Sequence, residues 1–217
     1  MPLTWLKRQL NPRYNWLPSA ARAEIGSILD IGGEGADSFL AAQYIPRARF
    51  TAINIAVPDR LAPGAVFIQA DLDRDGLAAV EGVRFDYVIC SHTLEHLGRG
   101  PDLLTDIAAR IAPGGYLYLE WPSLRALDFP LRGLGLNFYD DPTHVTPIEL
   151  EKALDRLTQS GLTILAAGPR RNRFRQILAP LLFVRSCWKH RRVVLYDFWD
   201  WTGYADRICA YRPEDIR

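Results

Sequence analysis

With 217 residues, the chain has room for one full hydrophobic core and too little for two independently folding halves. Its 48% hydrophobic and 24% charged residues are those of an ordinary globular domain, which excludes disordered and fibrous architectures. The net charge of +1 conceals an uneven distribution: residues 24–155 hold 20 acids and 10 Lys or Arg, whereas residues 156–196 hold nine Lys or Arg and no acid.

In chain order, the first 24 residues stand apart as a Trp-containing segment. Lys7 and Arg8 fall where a secretion signal needs an apolar core, so no such signal is expected. Trp5 and Trp16 could belong to a lid over a bound ligand or to a helix resting on the sheet edge. Residues 25–217 are expected to form one domain. Its strands are SILDI (27–31), RFTAINI (49–55), AVFIQA (65–70), RFDYVIC (84–90), GYLYLEW (115–121), LTILAA (162–167) and DRICAYR (206–212), each rich in β-branched or aromatic residues and several bounded by Gly, Pro or Asp. Helices are expected over residues 37–45, over 101–112 from the opening Pro-Asp to the stop at Pro113-Gly114, and over 146–162 with Thr146 as cap. The alternation of strand and helix predicts right-handed crossovers, hence an α/β fold built as a doubly wound, mostly parallel sheet.

Two other stretches lie outside the alternation: the loop of residues 122–147 and a basic insertion at about 170–200. The insertion, RRNRFRQILAPLLFVRSCWKHRR, is either a solvated helical face paired with acids elsewhere or a patch for a phosphate-bearing substrate or anionic lipid surface. Nucleic acid is not an expected partner, since no recognition motif accompanies these charges. Pro180 interrupts the longest apolar run, so no transmembrane helix is expected. Cys90, Cys187 and Cys209 are widely spaced without a CxxC, which fits packed thiols in a reducing cytoplasm. Contact with the inner membrane face remains open.

The most informative stretch is ILDIGGEG, a buried-strand pattern delivering Asp30 to a glycine turn at Gly32, Gly33 and Gly35. A pyrophosphate at the following helix terminus would be repelled by that carboxylate, whereas a cationic ligand would be attracted. ILDIGGEG, RFTAINIA, IQADLD, FDYVICSHTLEHL and LLTDIAARIAPGGYLYLEWPS together resemble, in order, the motifs of class I S-adenosylmethionine-dependent methyltransferases. The resemblance covers about residues 25–167 and implies a seven-stranded Rossmann-like sheet with the last strand antiparallel.

It further implies S-adenosyl-L-methionine as cofactor, with Asp30, Gly32, Gly33 and Gly35 around its methionine part, Asn54 at the ribose, and Asp71 and Leu72 at the adenine. Ser91 and His92 would face the sulfonium. Glu34 stands where the family usually has glycine, and Asn54 where it usually has an acid. An amide offers one acceptor and two donors, so ribose binding through Asn54 should be weaker.

Methyl transfer to a neutral hydroxyl calls for a general base, and His92 and His144 are the candidates, with Asp141 orienting His144. Tyr139 and His96 would form substrate wall. His92 has an alternative reading as a strand-end residue touching cofactor, His96 as a residue satisfying backbone groups, and His144 as part of a local turn. The segment NFYDDPTHVTP resembles one in methyltransferases of bacterial surface polysaccharide biosynthesis, which implies O-methylation of a sugar or glycan precursor. Arg170, Arg171 and Arg173 would suit a phosphate on such a substrate. No metal is expected from Asp141 and His144 alone. Two other functions stay open: a non-catalytic binding module of the same fold, and an NAD-dependent oxidoreductase.

Overall fold

The computed structural model describes residues 11–193, 195 and 198–214. Seven strands form one sheet: β1 (Ser27–Ile31), β2 (Arg49–Asn54), β3 (Val66–Gln69), β4 (Phe85–Ser91), β5 (Ile111–Pro122), β6 (Thr163–Pro169) and β7 (Ala205–Tyr211), in the order β3-β2-β1-β4-β5-β7-β6. The first five run parallel; β7 is antiparallel to both β5 and β6. The strand order reverses between β1 and β4, and in open sheets of this kind the carboxyl ends at the reversal form the ligand crevice.

The central strands are apolar on both sides because both faces are covered. One face carries Leu29, Ile31, Val88, Leu117 and Leu119, packed under Leu104, Ile107 and Leu157 of the helices Leu103–Ala109 and Leu150–Gln159. The other carries Ile28, Phe50, Tyr87, Ile89 and Tyr118, covered by Tyr14, Leu17, Ala41 and Ile45 from the amino-terminal segment and the helix Gly35–Tyr44.

Several boundaries differ from the sequence expectation. The helix expected over 101–112 stops at Ala109, because Ile111 and Ala112 begin β5, where Ile111 pairs with Phe85. The helix expected from Thr146 begins at Leu150 with Glu149 as its N-cap; Thr146 is held instead by its amide donating to the Glu95 carbonyl at 3.1 Å. Trp16 rests on the sheet, its ring against Tyr87, Tyr116 and Tyr118 and its indole N–H donating to the Tyr87 hydroxyl at 2.9 Å. Trp5 lies outside the described residues. The basic insertion contains the 18-residue helix Arg173–His190.

The loop of residues 122–147 is organised by one carboxylate. Asp140 accepts the amides of Arg132 and Gly133 on one oxygen, and those of Gly135, Leu136 and Asn137 on the other. Partial burial opposes ionisation, but these donors hold the carboxyl below its ordinary range.

Candidate active site

At the carboxyl end of β1, Gly32 adopts φ +76°, a left-handed conformation that glycine takes without Cβ strain. A Cβ here would meet Thr93 Oγ1 at 2.1 Å, and one on Gly33 would meet the Asp30 carboxyl carbon at 2.6 Å. The glycines therefore let the turn lie directly on β4 and on Asp30. Asn54, at the end of β2, donates to the Gly32 carbonyl at 2.9 Å and the Gly33 carbonyl at 3.4 Å, and accepts from the Ile55 amide at 2.7 Å. An acid could not make those two donations, so the amide has a structural reason: it ties the glycine turn to β2. Glu34 is the N-cap of the helix Gly35–Tyr44, and its amide donates to Asp37 at 3.0 Å.

Asp30 is buried beneath Gly33, and its Oδ2 has no hydrogen-bond partner. The nearest cation is Arg13, whose Nη1 lies 3.9 Å from that oxygen and 2.7 Å from Asp37. Burial raises the Asp30 pKa to about 7, assisted by Asp37 and opposed by Arg13. The folded protein thus binds this proton more tightly than the unfolded chain, whose aspartates titrate near ~3.9. The stability contributed is fully present below about pH 4, declines as pH rises towards about 7 and is flat above it, with a slope of at most ~1.4 kcal/mol per pH unit. Urea midpoints of wild type and Asp30→Asn at pH 5 and 7.5 isolate this group. The wild type should lose ground relative to the variant at the higher pH; a pH-independent difference refutes the assignment.

A cavity of about 520 Å³ opens above the turn, lined by Gly32, Glu34, Asn54, Asp71, Leu72, His92, Thr93 and His96 among others. A second, of about 490 Å³, is lined by Asn137, Asp141, His144, Trp199 and Tyr204, and shares His92 and His96 with the first. The two spaces meet at the carboxyl end of β4.

His92 is the centre of a charged network at that junction. Its backbone takes φ +53°, rare for a residue with a Cβ, and this turns the ring between two carboxylates. Nδ1 lies 3.0 Å from Glu95 Oε1 and Nε2 lies 2.8 Å from Glu120 Oε1. Burial alone would lower its pKa, but hydrogen bonds to Glu120 and Glu95 raise it to about 9. His92 is therefore an imidazolium with both nitrogens donating. Glu120 also accepts from Arg170 at 2.7 Å and from the Tyr118 hydroxyl. Although burial opposes it, Arg170 and His92 hold Glu120 far below the carboxylate range. Arg170 and Arg175 converge in turn on the buried Asp200.

Expected site residues thus fall into groups. Gly32, Asn54, Asp71, Leu72 and His92 line the first cavity, and His92, His96, Asp141 and His144 the second. Gly35 lines a smaller adjoining cavity. Gly33 lies between two lining residues of the first cavity, Gly32 and Glu34, with Asp30 packed against it, and Ser91 ends β4. Tyr139, Arg171 and Arg173 are exposed and line neither space. Arg170, expected to face substrate, is buried in ion pairs with Glu120 and Asp200. The Asp141 carboxylate does not orient the His144 ring: Oδ2 and Nε2 are 3.9 Å apart, and the His144 Nδ1–H instead donates to the Phe138 carbonyl at 2.6 Å. His92, expected as a base, is protonated and engaged.

Sequence reasoning missed Thr93, Glu95, Glu120 and Trp199. Glu95 and Thr93 stand inside the quoted motif SHTLEHL, so their proximity to His92 was available; Glu120 and Trp199 come from other elements and carried no local signal.

A family model described as a methyltransferase domain matches residues 5–167. No curated protein matches the chain in sequence. Among solved structures, a SAM-dependent methyltransferase from Archaeoglobus fulgidus superimposes with TM-score 0.57 at 20% identity, covering 97% of this chain and 93% of that one. A putative sarcosine dimethylglycine methyltransferase from Galdieria sulphuraria gives 0.61 at 14% identity, covering 98% and 85%. An O-methyltransferase from a Brevibacillus brevis multienzyme, in complex with S-adenosyl-L-homocysteine, gives 0.57 at 13%, covering 96% and 72%. At these identities the likeness is one of fold.

Proposed function

The chain belongs to the methyltransferase domain family, and on that premise we propose that it methylates an oxygen of a sugar or glycan precursor, using S-adenosylmethionine. The observation that carries this reading is the junction of two cavities at His92 and His96, one above the glycine turn and one under the Asp140-pinned loop.

The first cavity fits a cationic nucleoside. Glu34, Asp71 and Asp73 line it, no Lys or Arg does among the described residues, the charge of His92 at its edge is met by Glu95 and Glu120, and the orphaned Asp30 oxygen lies under Gly33 beside the turn. Gly32, Gly33 and Glu34 would hold the methionine end, Asn54 and Ile55 would border the ribose, and Asp71 and Leu72 the adenine. The bound cofactor supplies a methyl group on a sulfonium, transferred in line to the attacking oxygen while the carbon–sulfur electron pair leaves with sulfur.

The second cavity suits a sugar. Trp199 stacks on Tyr204, with ring centroids 4.2 Å apart, giving an apolar platform for a sugar face, while Asp141 and Asn137 offer polar edges and Arg192 a cation for a phosphate. His92 stabilises this wall as a fixed cation. The acceptor's hydroxyl proton leaves towards His144, whose Nδ1 is already a donor to Phe138, so that Nε2 carries the lone pair.

Such precursors are often lipid-linked, and the helix Arg173–His190 supports contact with an anionic membrane surface. Ile177, Leu181, Val184 and Trp188 are 76%, 68%, 64% and 78% exposed and follow one another at helical spacing, flanked by Arg173, Arg185, Lys189 and Arg192. Among the described residues no helix is long and apolar enough to cross a membrane. We read the reaction as one at the cytoplasmic membrane face, a reading that the exposed apolar stripe and its flanking cations support.

The test is transfer of labelled methyl to nucleotide-sugars, phenols, and lipid-linked saccharides in phosphatidylglycerol or phosphatidylcholine vesicles. Label is expected on a saccharide oxygen, with more protein sedimenting on the anionic vesicles. Label confined to phenols or amines overturns the glycan reading, and equal sedimentation overturns the membrane contact.

A further inference from the structure

Glu95, His96 and His144 come together where the two cavities meet. The 3₁₀ turn Leu94–His96 supplies the first two, and the Asp141–Pro147 loop is stitched onto that turn through the amides of Val145 and Thr146, both donating to the Glu95 carbonyl at 2.9 and 3.1 Å. One ligand atom from each of the three side chains lies within 4.8 Å of the others.

What the three atoms can do follows from their other partners. Phe138 offers only a carbonyl oxygen, so His144 Nδ1 carries the proton and Nε2 the lone pair. Asp141 Oδ1 accepts the Thr143 amide at 2.9 Å and the Thr143 hydroxyl at 2.6 Å, so that hydroxyl's proton is already given and it accepts from His96 Nδ1 at 2.8 Å. His96 is thereby fixed in the same tautomer, again with its lone pair on Nε2. Glu95 is fully buried; His92 engages its Oε1 at 3.0 Å, while Oε2 has no hydrogen-bond partner. A buried carboxylate oxygen without a donor is costly unless something positive meets it. Two imidazoles with outward lone pairs, each oriented through the opposite nitrogen, together with one carboxylate oxygen, form the donor set of a divalent transition-metal ion.

We propose that Glu95, His96 and His144 bind a divalent first-row transition-metal ion between the cofactor and acceptor cavities. Three atoms within 4.8 Å of one another share a point no more than about 2.8 Å from each, so shifts of at most about 0.7 Å close the set to bonds of ~2.1 Å. Imidazole donors favour zinc, iron or nickel over magnesium. Three protein ligands leave positions open on the cavity side, where an acceptor oxygen can bind and lose its proton more readily. That role rests on the O-methylation reading and refines it: with the ion bound, His144 acts through the ion instead of as a free base. The proton released from the acceptor oxygen passes to the Asp141 carboxylate, whose Oδ2 lies 3.9 Å from His144 Nε2.

The experiment is calorimetric titration of the chelator-treated full chain with Zn²⁺ and Mn²⁺, and absorption spectroscopy with Co²⁺. One site is expected, with d–d bands of nitrogen–oxygen coordination; His96→Ala and His144→Ala should abolish it and Glu95→Gln should weaken it more than tenfold. Thr143→Val, which removes only the orienting hydroxyl, should weaken it several-fold with unchanged circular dichroism. His190→Ala should bind as wild type. Absence of stoichiometric binding by any of the three ions, or binding indifferent to His96→Ala and His144→Ala in folded protein, overturns the site. A parallel titration with S-adenosylhomocysteine separates the readings: its failure counts against the cofactor, not against the metal.

Discussion

Replacing Glu120 by alanine is expected to lower the thermal midpoint by about 10 °C. The carboxylate sits on β5, 3% exposed, and receives His92 at 2.8 Å, Arg170 at 2.7 Å and the Tyr118 hydroxyl. Burying a carboxylate carries a large desolvation penalty, which this site offsets with two cations and a hydroxyl. Removing it leaves an imidazolium and a guanidinium facing each other across a water-poor space, each with one remaining carboxylate partner, Glu95 or Asp200. Breaking a buried pair in this way costs on the order of 3–5 kcal/mol, and for a domain of this size each kcal/mol shifts the midpoint by about 2–4 °C. Differential scanning calorimetry gives the answer directly. A change below about 2 °C would mean that the network contributes little and that His92 needs no second acceptor.

Gly32→Ala is expected to weaken S-adenosylhomocysteine binding about 100-fold. Two costs coincide at this position. The backbone has φ +76°, which disfavours any Cβ by about 1 kcal/mol, and the new methyl would stand 2.1 Å from Thr93 Oγ1. Thr93 cannot easily yield, since that hydroxyl donates to the Ile31 carbonyl at 3.1 Å and the residue is buried. The turn must move, and with it the Gly32 and Gly33 carbonyls that Asn54 holds. Gly64→Ala is the matched control: its φ is +79°, but a Cβ there would meet nothing within 4 Å. Calorimetry should find normal affinity for the control and a loss of about 2.7 kcal/mol in binding for Gly32→Ala, the equivalent of 100-fold. Equal affinity for both variants would show that the turn does not form the cofactor floor.

Much of this architecture is local and could be read along the chain. Each strand of the parallel core announced itself by a short run of branched and aromatic residues, because burial on both faces removes any need for alternation. The glycine turn was legible because φ at Gly32 and the close approach at Gly33 both require a missing Cβ. The misplaced helix boundaries have an equally local cause. Thr146-Pro147 has the composition of a helix start, yet the Glu95 carbonyl takes the Thr146 amide and delays the helix to Leu150. Ile111 fits a helix face as well as a strand, and pairing with Phe85 decided it.

The site was legible only in outline. His92, His96 and His144 could be picked out as chemistry-bearing residues, but not what each would be bonded to. His92 became an imidazolium because Glu120, 28 residues away, reaches it from the neighbouring strand, and Arg170 was withdrawn from any substrate by carboxylates 30 and 50 residues distant. The sequence by itself determined the sheet, its glycine turn and the acid beneath it, since periodicity and turn chemistry act over a few residues. Charge states, tautomers and the meeting of Glu95, His96 and His144 were decided by the tertiary structure, because a side chain's protonation depends on partners that only the strand order and loop closure bring within 3 Å.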